Sequence, residues 1–122
     1  RNSEYAPEAA YRSSRCRYEL STAQRENEGR CRNTLAFLKS VLDRMPNHAM
    51  RKELIQWQDE LTRLLIEQNY KKAIFYDTEQ RNRESAKTAY RAFLREFPDA
   101  PQAGEIAERL KAVEAGAKPL RK

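Results

Sequence analysis

The sequence predicts an all-α fold: a TPR-like α-hairpin solenoid of about five antiparallel helices, one of them extended over about 49–78. Three observations predict it. Apolar residues recur at steps of three and four, most clearly at Ala86, Ala89/Tyr90, Phe93/Leu94 and Phe97, which lines one helix face. A proline-marked corner recurs, MPNHAM at 45–50 matching FPDAPQ at 97–102 and, more loosely, NSEYAPEA at 2–9 matching DAPQAGEI at 99–106. The interval 49–78 holds neither proline nor glycine, so nothing in it breaks a helix. Helix–turn–helix units of roughly 34 residues with a proline closing the second helix mark tetratricopeptide (TPR) arrays. The spacings here are longer, and the excess falls in the 21–29 connection and the extended third helix.

The first helix is expected over about 6–20, with Pro7 in its first turn. Ala9, Ser13, Cys16 and Leu20 form its small-sided inward face, and Tyr11 and Tyr18 pack at the edge. The polar stretch STAQRENEG, 21–29, connects it to a second helix over about 30–45. That helix carries the stripe Cys31, Leu35, Leu38, Leu42 and Met45. Pro46 stops it, because the residue before a proline leaves the α region, and Asn47 is placed to cap the next helix.

The third helix presents two apolar stripes, Leu54, Trp57, Leu61, Leu64/Leu65 and Ile55, Ile66, Tyr70, Ala73/Ile74. Two stripes require neighbours on more than one side. Trp57 reads as part of the core stripe rather than as a binding anchor. The fourth helix is expected over about 83–97 and the fifth over about 101–115, with Ala103, Ile106/Ala107, Leu110 and Val113 inward. At the corner between them Asp99 and Gln102 have the spacing of a capping box, and Pro101 falls in a first turn, where its missing N–H costs little. Gly116 and Pro119 end the fifth helix. These elements make one repeat domain, 1–116, and a tail, 117–122, that is expected to be disordered.

Composition narrows the function classes. Charged residues make up 34% of the chain and glycines number 3, which suits solvated helices, and 39% hydrophobic residues suffice for a modest core. No apolar run approaches the 18 or more residues of a membrane helix. Without an initiator Met or an apolar leader, the sequence reads as a fragment of a longer precursor. The net charge of +6 raises nucleic acid as a partner, but acids and bases interleave, as in Arg25-Glu26-Asn27-Glu28-Gly29-Arg30, so a mixed solvated surface is expected and nucleic acid is not. Asp59 and Glu60 are adjacent on a helix and do not face each other. No glycine-rich phosphate loop or Ser/His/acid set is present, so neither catalysis nor a cofactor is expected.

Cys16 and Cys31 make neither a disulfide framework nor a zinc site, and the single His48, at a corner, offers no metal cluster. In a hairpin centred near 23–24 the two cysteines fall about level. That allows a disulfide contributing about 3 kcal/mol; two buried thiols are the alternative.

Taken together, RLLIEQNYKKAIFY at 63–76, with its Ala73, Phe75, Tyr76 element, and AKTAYRAFLREFPDAP at 86–101 resemble the BamD (outer-membrane lipoprotein YfiO) family. NTLAFLKSVLDRMPN and NSEYAPEAAYRSSRCRYEL resemble that family's preceding repeats. The resemblance covers about residues 2–113 and corresponds to the C-terminal repeats. The turn Gln80-Arg81-Asn82-Arg83 lacks the family's glycine and aromatic residue, Asn69 stands where a glutamate is common, and the lipid-bearing N-terminal Cys and first repeats are absent. The resemblance implies a non-catalytic scaffold on the periplasmic face of the bacterial outer membrane. It would be held there by a lipid anchor outside this chain and would dock other subunits of the β-barrel assembly machinery. An oxidising periplasm would favour the disulfide. A generic TPR adaptor, or a cell-division coordinator-type TPR protein, is the alternative. Self-association is expected through an N-terminal face bearing Tyr5, Tyr11 and Tyr18.

Overall fold

The computed structural model describes residues 6–120. The described residues form five helices and no strand: α1 (Ala6–Ala23), α2 (Glu28–Arg44), α3 (Arg51–Thr78), α4 (Arg83–Glu96) and α5 (Ala103–Glu114). The expected corner at 2–6 and the role given to Tyr5 lie outside the described residues, apart from Ala6.

Local chemistry sets the helix bounds. α1 runs past Leu20 because its polar end is satisfied internally. Ser21 shares a buried 2.8 Å hydrogen bond with Thr34, and Thr22 Oγ1 donates back to Glu19 O. α2 and α4 each begin behind an asparagine whose side chain takes one of the backbone N–H groups left over at a helix start. Asn27 Oδ1 accepts from Arg30 N at 2.9 Å, and Asn82 Oδ1 accepts from Ser85 N at 3.0 Å. Neither cap is among the expected ones. Conversely, the Asp99/Gln102 capping box does not form: Gln102 is itself the N-cap of α5, in helical conformation and without a side-chain cap bond. Nor does Asn47 cap α3, which starts four residues later at Arg51.

The recurring corner is reproduced bond for bond. Met45 N donates to Val41 O as Phe97 N does to Phe93 O. His48 N donates to Met45 O as Ala100 N does to Phe97 O, and Arg51 N to His48 O as Ala103 N does to Ala100 O. Leu54 N and Ile106 N then enter their helices by bonding Met50 O and Gln102 O. Met45 (φ −130, ψ 66) and Phe97 (φ −126, ψ 57) share the same non-helical conformation, which the following proline favours.

The chain divides into two compact units, Arg1–Leu65 and Ile66–Lys122, within the span expected to form one repeat domain. In the first, α1, α2 and the N-terminal part of α3 enclose Cys31, Leu38, Val41, Leu54, Trp57 and Leu61. In the second, the C-terminal part of α3 with α4 and α5 encloses Ala73, Ala86, Tyr90, Phe93, Ile106 and Val113. Large apolar side chains at full burial contribute about 1.5–3 kcal/mol each. The predicted stripes of α2, α3, α4 and α5 supply these cores. The stripe predicted for α1 does not: Ala9, Cys16 and Leu20 are exposed, and the helix buries Ser14 and Ser21 instead, with Tyr11 and Tyr18 half-buried on the same side.

α5 ends in a Schellman turn, in which Ala117 N donates to Ala112 O and Gly116 N to Val113 O. Gly116 sits at φ +93, a conformation glycine adopts without steric cost. In the stretch 117–120, expected to be disordered, Ala117, Lys118 and Leu120 are hydrogen-bonded. Arg83 Nη2 reaches Ala117 O at 3.1 Å, Arg109 Nη2 reaches Lys118 O at 2.7 Å, and Leu120 N reaches Asp77 O at 3.1 Å. Residues 121–122 of the expected tail lie outside the described residues.

Candidate interaction surface

The two cysteines are unbonded. Cys16 is exposed on the outer side of α1; Cys31 is fully buried, and its thiol donates to Leu61 O at 3.3 Å. Burial pushes the Cys31 thiol up, making it a poor nucleophile. The disulfide that the sequence allows would need Cys16 on the other face of α1, since the face toward α2 carries Ser21 instead, and of the two buried thiols that were the alternative only Cys31 is buried. Among the described residues no group of three or more His, Cys, Asp or Glu is placed to hold a metal ion. His48 has a structural place: its Nε2 donates to Pro7 O at 2.8 Å, and its Nδ1 accepts from Met50 N at 2.9 Å.

In the first unit Tyr11 and Tyr18 both stack on Trp57, with ring centroids 5.5 and 4.9 Å apart. Their hydroxyls donate to Glu53 at 3.0 Å and Glu60 at 2.7 Å. The spacing of seven on α1 matches the spacing of seven between the two acids on α3, so each tyrosine meets its own glutamate. The bond to Glu60, with burial second, raises the Tyr18 phenol to about 12; the bond to Glu53 raises that of Tyr11. Trp57 is therefore a core residue with a specific aromatic neighbourhood.

The second unit repeats one part of this scheme and replaces another. The corner match that aligns Arg51 with Ala103 also aligns Glu53 with Glu105, Leu54 with Ile106, Trp57 with Arg109 and Leu61 with Val113. Glu105 accepts from Tyr70 Oη at 2.6 Å, as Glu53 does from Tyr11. At the place of Trp57, however, Arg109 forks onto Asp77, with Nε–Oδ2 at 2.6 Å and Nη2–Oδ1 at 3.0 Å. Asp77 is 4% exposed and also accepts from Tyr90 Oη at 2.6 Å. Burial alone would push its carboxyl up. The Arg109 fork, the Tyr90 hydroxyl and the Leu120 amide outweigh it and hold the carboxyl below the usual range. Burial and the bond to Asp77 push the Tyr90 phenol well above its ordinary value. Periodicity alone does not single out Asp77. The available signal is that Tyr70, Ala73 and Asp77 share one face of α3, while Arg109 lies between Ile106 and Val113 on the inward face of α5.

A groove lies between α3 and α4 in this unit. Asn69, Lys72 and Tyr76 from α3 and Glu84, Ser85, Thr88, Ala89 and Ala92 from α4 line this open groove of about 390 Å³. Apart from Glu84, its α4 wall is made of small side chains. Phe75, 44% exposed, meets the Tyr76 ring edge-on at 6.2 Å and adds an apolar surface beside it. The matching side of the first unit is built differently: Phe37 on α2 lies under the Arg17 guanidinium of α1, whose carbon is 4.2 Å from the ring centroid.

No protein-family model, curated protein or solved structure matches this chain.

Proposed function

We propose that this chain is a non-catalytic protein–protein interaction scaffold built from TPR-like helical hairpins, acting as a BamD-like subunit of the machinery that assembles outer-membrane β-barrel proteins. The observation that carries the reading is the recurrence, backbone bond for backbone bond, of the corner at 45–54 and 97–106. A repeated helix–corner–helix unit of this kind is how solenoid proteins build extended docking surfaces from elements that each contact only their neighbours. The open α3–α4 groove, with Phe75 exposed at its side, supplies such a surface. The resemblance of 63–76 and 86–101 supports the narrower assignment, and with it a place at the periplasmic face of the outer membrane.

Affinity capture from a bacterial envelope extract, with the bound proteins identified by mass spectrometry, tests it. Recovery of a β-barrel assembly subunit is the expected result. Recovery of cell-division envelope proteins in its place would transfer the chain to the coordinator type of TPR protein. Recovery of neither would overturn the scaffold reading.

A further inference from the structure

The stretch that follows α5 is held on the second unit through its backbone. Arg83 Nη2 donates to Gly116 O at 3.3 Å and to Ala117 O at 3.1 Å. Arg109 Nη2 donates to Lys118 O at 2.7 Å. Leu120 N donates to Asp77 O at 3.1 Å and to Asp77 Oδ1 at 3.4 Å. Apolar burial adds little, since Lys118 and Pro119 are exposed and Ala117 and Leu120 are half-buried. The far end of the stretch converges on one side chain: Asp77 Oδ1 accepts from Leu120 N and from the same Arg109 Nη2 that reaches Lys118 O. Asp77 O is one of the last carbonyls of α3, which have no partner inside the helix. Phe75 O and Tyr76 O are taken by the turn amides of Glu79, Gln80 and Asn82, and Asp77 O by Leu120.

We infer that residues 117–120 form a strap latched by the Asp77 carboxylate: ionised, it keeps the strap seated, and neutralised, it releases the strap's far end while the helices stay in place. Arg109 links the two events. Asp77 holds its guanidinium by Nε to Oδ2 at 2.6 Å and Nη2 to Oδ1 at 3.0 Å, and this fork keeps Nη2 on Lys118 O. A fork needs two accepting carboxylate oxygens, and protonation turns one of them into a donor. The fork then opens, Arg109 regains its side-chain freedom and Lys118 O loses its partner. Leu120 N loses its charged acceptor in the same step. The neutral bond to Asp77 O is left to hold a stretch with little buried area, so opening it is a local event. Three elements face the carboxylate: α4 with Tyr90, whose Oη donates at 2.6 Å, α5 with Arg109, and the strap with the Leu120 amide. Tyr90, its phenol pushed up by burial and by Asp77, stays protonated in acid, and Arg109 stays charged. Asp77 is therefore the member of this set that titrates. Its folded carboxyl lies below the usual range, so the strap is seated at neutral pH and opens as the pH falls through the folded value. All of these groups belong to the second unit, and the latch stands whether or not a partner protein is captured.

NMR of the ¹³C,¹⁵N-labelled chain from pH 6 to 2 tests the latch, reading the Asp77 carboxyl carbon, the Leu120 amide and the helix amides of Phe93 and Ile106. The Leu120 amide should shift with the midpoint of the Asp77 carboxyl. Its protection against hydrogen exchange should fall at least about tenfold, the size of a lost bond to a charged group, while Phe93 and Ile106 keep theirs. Asp77→Asn should show the open strap already at pH 6 and no acid step at Leu120. Arg83→Ala, which cuts only the near end, should keep that step. Leu120 protection that persists as the carboxyl titrates would overturn the latch. So would joint loss at Leu120, Phe93 and Ile106, which is unfolding of the whole unit, a seated strap in Asp77→Asn, or disappearance of the step in Arg83→Ala. If Asp77→Asn does not fold, the titration of the unmodified chain decides alone.

Discussion

The two units solve one packing problem with different chemistry. Each closes on a helix entered through the same corner, and each uses a tyrosine–glutamate bond to hold that helix, Tyr11–Glu53 in one and Tyr70–Glu105 in the other. Where the first inserts Trp57 under two tyrosines, the second inserts Arg109 onto a buried aspartate. Each helix pair also carries one buried side-chain hydrogen bond, the neutral Ser21–Thr34 pair in the first and the charged Asp77–Tyr90 pair in the second. The ring contacts of an aromatic cluster draw on area and dispersion and carry no charge of their own. A buried carboxylate held by a guanidinium is exposed to protonation, and losing one partner leaves the other uncompensated. The repeat keeps backbone geometry more strictly than side-chain chemistry.

Breaking the aromatic side should cost most. Trp57→Ala removes a residue 7% exposed together with both ring contacts, and should destabilise the first unit by about 4 kcal/mol in urea or thermal denaturation. A loss below about 1 kcal/mol would mean that the tyrosines close over the gap.

The charged side should cost nearly as much and respond to acid. Asp77→Ala leaves Arg109 and Tyr90 without their partner and should cost about 3 kcal/mol. Because the folded carboxyl lies below its unfolded value, its contribution is complete above about pH 4 and declines as the pH falls through the folded value. Stability measured from pH 6 to 2 should therefore fall less steeply in Asp77→Ala than in the unmodified chain; parallel curves would show that Asp77 does not carry the acid sensitivity.

Ser21→Ala probes the neutral counterpart and should cost about 1 kcal/mol, since Thr34 Oγ1 keeps a second acceptor in Arg17 O at 3.4 Å. An equal cost for Ser21→Ala and Asp77→Ala would erase the distinction between the units. The smallest effect is expected at Arg81, in the turn after α3, which holds a left-handed conformation at φ 51. Arg81→Gly should be stabilising by up to about 1 kcal/mol, read as a small rise in the midpoint of the second unit.

Helix existence and most core faces are legible in the sequence because their signals are local. The stripes of α2 and α4 are each richer in large apolar residues on one side than on any other, so burial has one choice, and the two stripes of α3 are both apolar enough to mark faces that need neighbours. α1 offers two faces of similar spacing, Ala9/Ser13/Cys16/Leu20 and Tyr11/Ser14/Tyr18/Ser21. Periodicity does not rank them; Trp57, distant in the chain, does, by taking both tyrosines. That choice also keeps Cys16 away from Cys31. The capping asparagines are hard to pick out beforehand because each stands in a run of polar residues with several equally good caps.

Five helices, their breaks at Pro46 and Pro98 and the recurrence of the corner are all written in the residue order, since steric restriction by proline and helical periodicity act within a few residues. Which face of α1 is buried is settled only in three dimensions. So are the place of Asp77 as an interior carboxylate rather than a solvated helix end, and the opening of a groove at Ala89 and Ala92. Each depends on groups far apart in sequence: Trp57 for α1, Arg109 for Asp77, and Lys72 and Tyr76 for the groove. A charged or small residue has no preferred side of a helix until such a partner arrives to satisfy its charge or to leave its surface uncovered.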